Sequence, residues 1–121
     1  MKGHPVVVFI TAPTSEEAKS IGRHLVEKGL AACASIVPGI QSLFIWNGKF
    51  SQENEILIIV KSIQEKVKEI VAVVKEMHSY DVPEIIVLPV VDGSKDYLDW
   101  LQESISSKPT AESFNEEVES P

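Results

Sequence analysis

Asn47-Gly48 follows directly on the extended run Ile40 to Trp46, and a second apolar run, Ile56 to Val60, comes soon after it. A type I′ turn needs positive φ at both central residues, and Asn-Gly supplies it with little strain, so the dipeptide marks an antiparallel β-hairpin. Any fold for this chain must be built around that hairpin. Alternation puts Ile40, Phe44 and Trp46 on one face of its first strand and Leu43 and Ile45 on the other, and the polar stretch Ser51 to Asn54 is expected to interrupt the second.

The segments on either side repeat one plan. Val6 to Ile10 reads as a strand buried on both faces. Thr14 and Glu17 have the form of a capping box, Ala18, Ile21, Leu25 and Val26 recur at helical spacing, and Gly29 offers a left-handed stop. Leu30 to Ile36 resumes extended structure, and Pro38-Gly39 bends it. Beyond the hairpin, Ser62 and Glu65 repeat the capping pattern, and Val67, Ile70, Val71, Val74 and Met77 mark a second helix ending near His78. Ile85 to Val91 is again β-rich, with Pro89 confining part of it to an edge or a bulge. Leu98, Leu101 and Ile105 give a third helix flanked by Tyr97 and Trp100. The order βαββαβ, then α, predicts a ferredoxin-like α+β fold, with two helices on one face of a four-stranded antiparallel sheet. Three of the strands are apolar on both faces, so the open face needs cover, which packing between subunits would supply.

Composition narrows the function. With 44% apolar residues in 121, the chain can enclose one core, assigned to residues 1–105 as a single domain. Residues 106–121, with four serines, two prolines and four glutamates, read as a disordered acidic tail. No apolar stretch approaches the roughly 20 residues of a membrane span. Eighteen acidic against 11 basic side chains give net charge -7, which repels a nucleic acid backbone. Cys33 alone makes no intrachain disulfide and no multi-thiolate cluster, and the five-residue run after Pro5 is too short for a secretory core. A cytoplasmic protein is expected.

Catalytic signatures are missing. The glycines form neither a dinucleotide fingerprint nor a P-loop, and there is no serine-hydrolase or HExxH motif, so the chain is expected to be no enzyme and to carry no organic cofactor. The acidic pairs Glu53 with Glu55 and Asp96 with Asp99 read as solvated faces. Arg23, His4 and His24 read as surface residues. His78, at the end of the second helix and followed by Tyr80, Asp81 and Glu84, is either a helix-capping residue or part of a site whose nitrogen and carboxylate ligands would suit copper or zinc. Cys33 is either a small core residue or a soft metal ligand.

Five ordered segments resemble the CutA family, the divalent-cation tolerance proteins: Leu30-Ala31-Ala32-Cys33, Ile36 to Ser42, Trp46-Asn47-Gly48-Lys49, His78 to Glu84, and Tyr97 to Leu101. The resemblance runs from Val6 to Ile105. It implies a ferredoxin-like subunit in a homotrimer and a divalent cation, copper first, as ligand. By position it implies His78 and Glu84 as the metal residues. Some bacterial members have cysteine where this chain has Ile10, and animal relatives connected with acetylcholinesterase assembly imply a protein partner. The alternative is a PII-like trimeric signalling or scaffold module, with a small anion or a protein held in an intersubunit cleft near Cys33, Trp46, Lys61 and Tyr80. An acylphosphatase-like hydrolase would need an arginine after the first strand, where Thr11 to Thr14 has none. An RNA-recognition module would need aromatics on the aliphatic strand Ile56 to Val60.

Overall fold

A computed structural model describes residues 3–106. The expected tail from 106 onward lies outside the described residues, apart from the backbone of Ser106. In β1 (Pro5–Ala12), Val6, Val8, Ile10 and Ala12 point to the helix-covered face and are all but fully buried. Burying each of these valines and isoleucines is worth about 1.5–3 kcal/mol, enough to fix which face turns inward. The first helix, α1 (Ser15–Glu27), starts as expected, with the Glu17 N–H donating to Thr14 Oγ1 at 3.1 Å. It closes in a Schellman turn. Gly29, at φ 73°, donates to the Val26 carbonyl, and Leu30 donates to that of Leu25. Leu30 and Ala31 are spent on that closure, so β2 (Cys33–Trp46) begins three residues later than the sequence suggested.

The hairpin forms as predicted, with Asn47 at φ 53° and Gly48 at φ 77°. Its second strand, β3 (Lys49–Ile63), is not interrupted at Ser51 to Asn54: Phe44 pairs with Ser51 and Ser42 with Glu53 in continuous register. Residues 49–55 pair only with β2, forming a two-stranded arm beyond the main sheet, where the side chains of Gln52, Glu53 and Asn54 reach solvent. Ser62 does not cap a helix. It is a buried β3 residue donating to the Leu30 carbonyl at 2.6 Å, and a 3-10 turn, Gln64–Lys66, leads into α2 (Val67–Met77) without a side-chain cap.

β4 (Ile85–Pro89) lies on the sheet edge, so Pro89 interrupts no ladder, and the strand order is β2-β3-β1-β4, antiparallel throughout. α1 and α2 pack Ile21, Leu25, Ile70 and Val74 on Val8, Ile10, Ile58 and Val60. The α+β arrangement is the expected one. α3 (Lys95–Ser106) packs Leu101 and Ile105 against Ile63, on the opposite face of the sheet. It therefore covers one end of the face that α1 and α2 leave bare. The rest of that face, with Ile86 and Leu88 among its residues, stays partly exposed.

Candidate functional site

The bare face carries an open cleft of about 790 Å³ where the arm leaves the sheet. Alternation along β2 and β3 aims Ser42, Phe44, Trp46, Ser51, Glu53 and Glu55 into it, and the segment after α2 closes the other side with Tyr80, Asp81, Val82 and Glu84. Among the described residues, four carboxylates line the cleft and no lysine or arginine does.

Glu55 is its innermost charge. Expected as half of a solvated pair, it is 6% exposed, and its carboxylate accepts from Ser42 Oγ at 2.6 Å and from Tyr80 Oη at 2.9 Å. A signal was present in the sequence, since Glu55 shares the strand phase of Leu57 and Ile59, yet the polar run around it masked that phase. Burial, and after it the hydrogen bond to Glu55, push the Tyr80 phenol up to about 12, so at neutral pH the phenol keeps its proton and donates.

His78 lies behind the cleft, not on it. Only 8% exposed, it directs Nε2 to the Thr11 carbonyl at 2.7 Å and Nδ1 to the Tyr80 N–H at 3.0 Å. The Thr11 carbonyl can only accept, so Nε2 carries a proton and donates it into this contact. Glu17 Oε2 lies 3.3 Å from Nδ1 and accepts hydrogen bonds from the Ser79 N–H and Oγ–H, tying α1 to this segment. The helix-end histidine thus spans three elements. Glu84, its expected partner, is exposed on the cleft. Among the described residues, no group of three or more His, Cys, Asp or Glu could hold a metal ion.

The other residues expected at a cleft are divided. Trp46 and Tyr80 line it, but Cys33 and Lys61 pair across β2 and β3 some six residues further along the sheet. There Lys61 Nζ donates to Ser35 Oγ at 2.6 Å and faces Cys33 Sγ at 3.8 Å. Tyr97 of α3 adjoins the thiol: burial, then Cys33 itself, raise its phenol above the ordinary value. His4, with Glu65 at 3.1 Å, is a surface residue as expected.

A family model described as "CutA1 divalent ion tolerance protein" matches residues 6–104. The chain belongs to the CutA family. The CutA divalent-cation tolerance protein of Thermus thermophilus is 44% identical over 98 residues, covering 81% of this chain and 95% of that protein. The chloroplastic CutA protein of Arabidopsis thaliana is 42% identical over 99 residues, covering 82% of this chain and 54% of that protein. Among solved structures, the periplasmic divalent cation tolerance protein CutA of Archaeoglobus fulgidus superposes with a TM-score of 0.81 at 44% identity, over 84% of this chain and 98% of that one. The CutA1 of Oryza sativa does so with 0.82 at 39% identity, over 84% and 94%. This CutA chain thus carries the family's fold along nearly all its described length. Among the described residues, no helix is long and apolar enough to cross a membrane.

Proposed function

We propose that the protein is a non-enzymatic homotrimer that binds divalent cations, copper foremost, and serves metal-ion tolerance or homeostasis in the cytoplasm. One observation carries the reading: a CutA-family chain presents a cleft lined by Glu53, Glu55, Asp81 and Glu84, with no lysine or arginine among the described residues that line it. Such a surface concentrates cations. Carboxylates alone suit hard ions, and copper prefers an added imidazole nitrogen. Glu84 offers its carboxylate directly. His78 joins it only by releasing the Tyr80 N–H from Nδ1, so further ligands come from a neighbouring subunit.

The homotrimer is supported by apolar surface. Ile45 and Phe50 on the arm are 71% and 69% exposed and Val91 is 94% exposed, more than an isolated domain usually leaves in water. Cys33 as a free thiol suits a reducing compartment. The PII-like alternative needs a cation in its cleft for an anion, and Lys61 stands about 20 Å along β3 from Glu55, so the acidic lining favours the first reading.

Calorimetric titration with copper(II) and zinc(II) tests it. Wild type should bind, and Glu84→Gln should weaken copper binding by roughly tenfold or more. Absence of binding heat with either ion, or wild-type affinity in both Glu84→Gln and His78→Ala, overturns the assignment.

A further inference from the structure

Among the described residues, one carboxyl and one amino side chain stand on the bare face of the sheet without a partner of opposite charge. Glu55 is 6% exposed and accepts only from the neutral hydroxyls of Ser42 and Tyr80. Lys61, half-buried on the same strand, donates to Ser35 and faces Cys33, and among the described residues no carboxylate pairs with it. Taking an ion out of water without a counter-charge is costly, and covering this face would desolvate both. They cannot neutralise each other within one chain. Six residues apart on an extended strand, they are about 20 Å from each other.

The surface between them is apolar. Leu57 and Ile59 of β3 share it with Phe9 of β1 and Ile86 of β4. Glu53, Asp81 and Glu84 reinforce the acidic end, and Lys61 marks the opposite end. The face is therefore complementary end to end: the basic end of one copy fits the acidic end of the next, and the apolar stretches between them converge. A foreign basic protein would satisfy the carboxylates and leave Lys61 stranded. Further copies of this chain satisfy both, one neighbour accepting the ammonium and the other supplying one to the carboxylate.

Resting on the homo-oligomer proposed above, we infer that Lys61 of one copy pairs with Glu55 of the next, so that each acidic cleft is completed by a neighbour's ammonium. In a closed ring every copy gives one Lys61 and receives one, leaving neither Lys61 nor Glu55 unpaired. The pairing neutralises the innermost carboxylate and leaves Glu53, Asp81 and Glu84 to face a divalent cation. It also brings Cys33 and Ser35 of one chain to the Trp46 and Tyr80 of another.

A charge exchange tests this by sedimentation equilibrium at micromolar concentration, with far-UV circular dichroism alongside. Lys61→Glu and Glu55→Lys should each reduce the mass from that of the assembly to that of one chain. The double variant Lys61→Glu/Glu55→Lys should restore the assembled mass, which a loss of local packing would not do. Retention of the assembled mass in both single variants, or failure of the double variant to regain it, overturns the pairing. A monomeric wild type would instead sink the homotrimer itself, so the two failures are distinct.

Discussion

His78 Nε2 lies 2.7 Å from the carbonyl oxygen of Thr11, 67 positions earlier in the chain. The contact ties the end of α2 to the end of β1, and the Tyr80 N–H on Nδ1 carries the tie forward to the cleft. Replacing His78 by alanine strands a carbonyl and an N–H, costing on the order of 2 kcal/mol or more. Urea denaturation should show that loss. An unchanged midpoint would mean that water replaces the ring at no cost.

The pH dependence of the Tyr80 phenol follows from its surroundings. Its folded value, about 12 against the ordinary 10.0, means that the folded state holds this proton more tightly than the unfolded state. The associated stability is complete below pH 10 and is lost as pH rises toward 12. Ultraviolet titration of the phenolates should show a late component. In Glu55→Gln that component should move back toward the ordinary value, because the charged acceptor is gone, and an unmoved component would mean that burial alone holds it.

Ile58 and Ile59 are sequence neighbours with opposite roles. Ile58 is fully buried under the helices, whereas Ile59 lies half-buried on the bare face. Ile58→Asp buries an unpaired charge, costs several kcal/mol and should unfold the chain. Ile59→Asp should leave a folded monomer. Light scattering beside circular dichroism separates the two, and a folded, assembled Ile59→Asp would show that no subunit covers this face.

Gly48 sits at φ 77° with open space around its missing Cβ, so a substitution there reports backbone strain alone. Gly48→Ala should cost about 1–2 kcal/mol, felt mainly in the arm. Hydrogen exchange should quicken at the pairs from Ile40 to Glu55 and little elsewhere. Uniform quickening would mean that the arm and the sheet open as one unit.

Whatever depends on neighbours within a few residues is legible along the chain. The Asn47-Gly48 turn, the Thr14 cap, the Gly29 stop and the helical phases of α1 and α2 are local, since each rests on one dihedral preference or one repeat. Together with the right-handed crossover they allow few arrangements beyond the sheet that forms. The CutA likeness is likewise carried by short contiguous segments such as Trp46 to Lys49 and His78 to Glu84.

What the tertiary structure alone decided are the partners of polar groups brought together from distant segments. Ser62 has the spacing of a cap, yet its hydroxyl finds the Leu30 carbonyl, a choice invisible until β3 packs beside that turn. Glu55 belongs to a polar run, but strand phase and the arrival of Tyr80 bury it. The four cleft residues inferred together divide into Trp46 with Tyr80 and Cys33 with Lys61, because an extended strand carries six residues over about 20 Å. A helix or a turn is fixed by short-range sterics that the chain spells out in order. A hydrogen bond across 67 positions depends on where two backbones come to rest, and no window of sequence contains both.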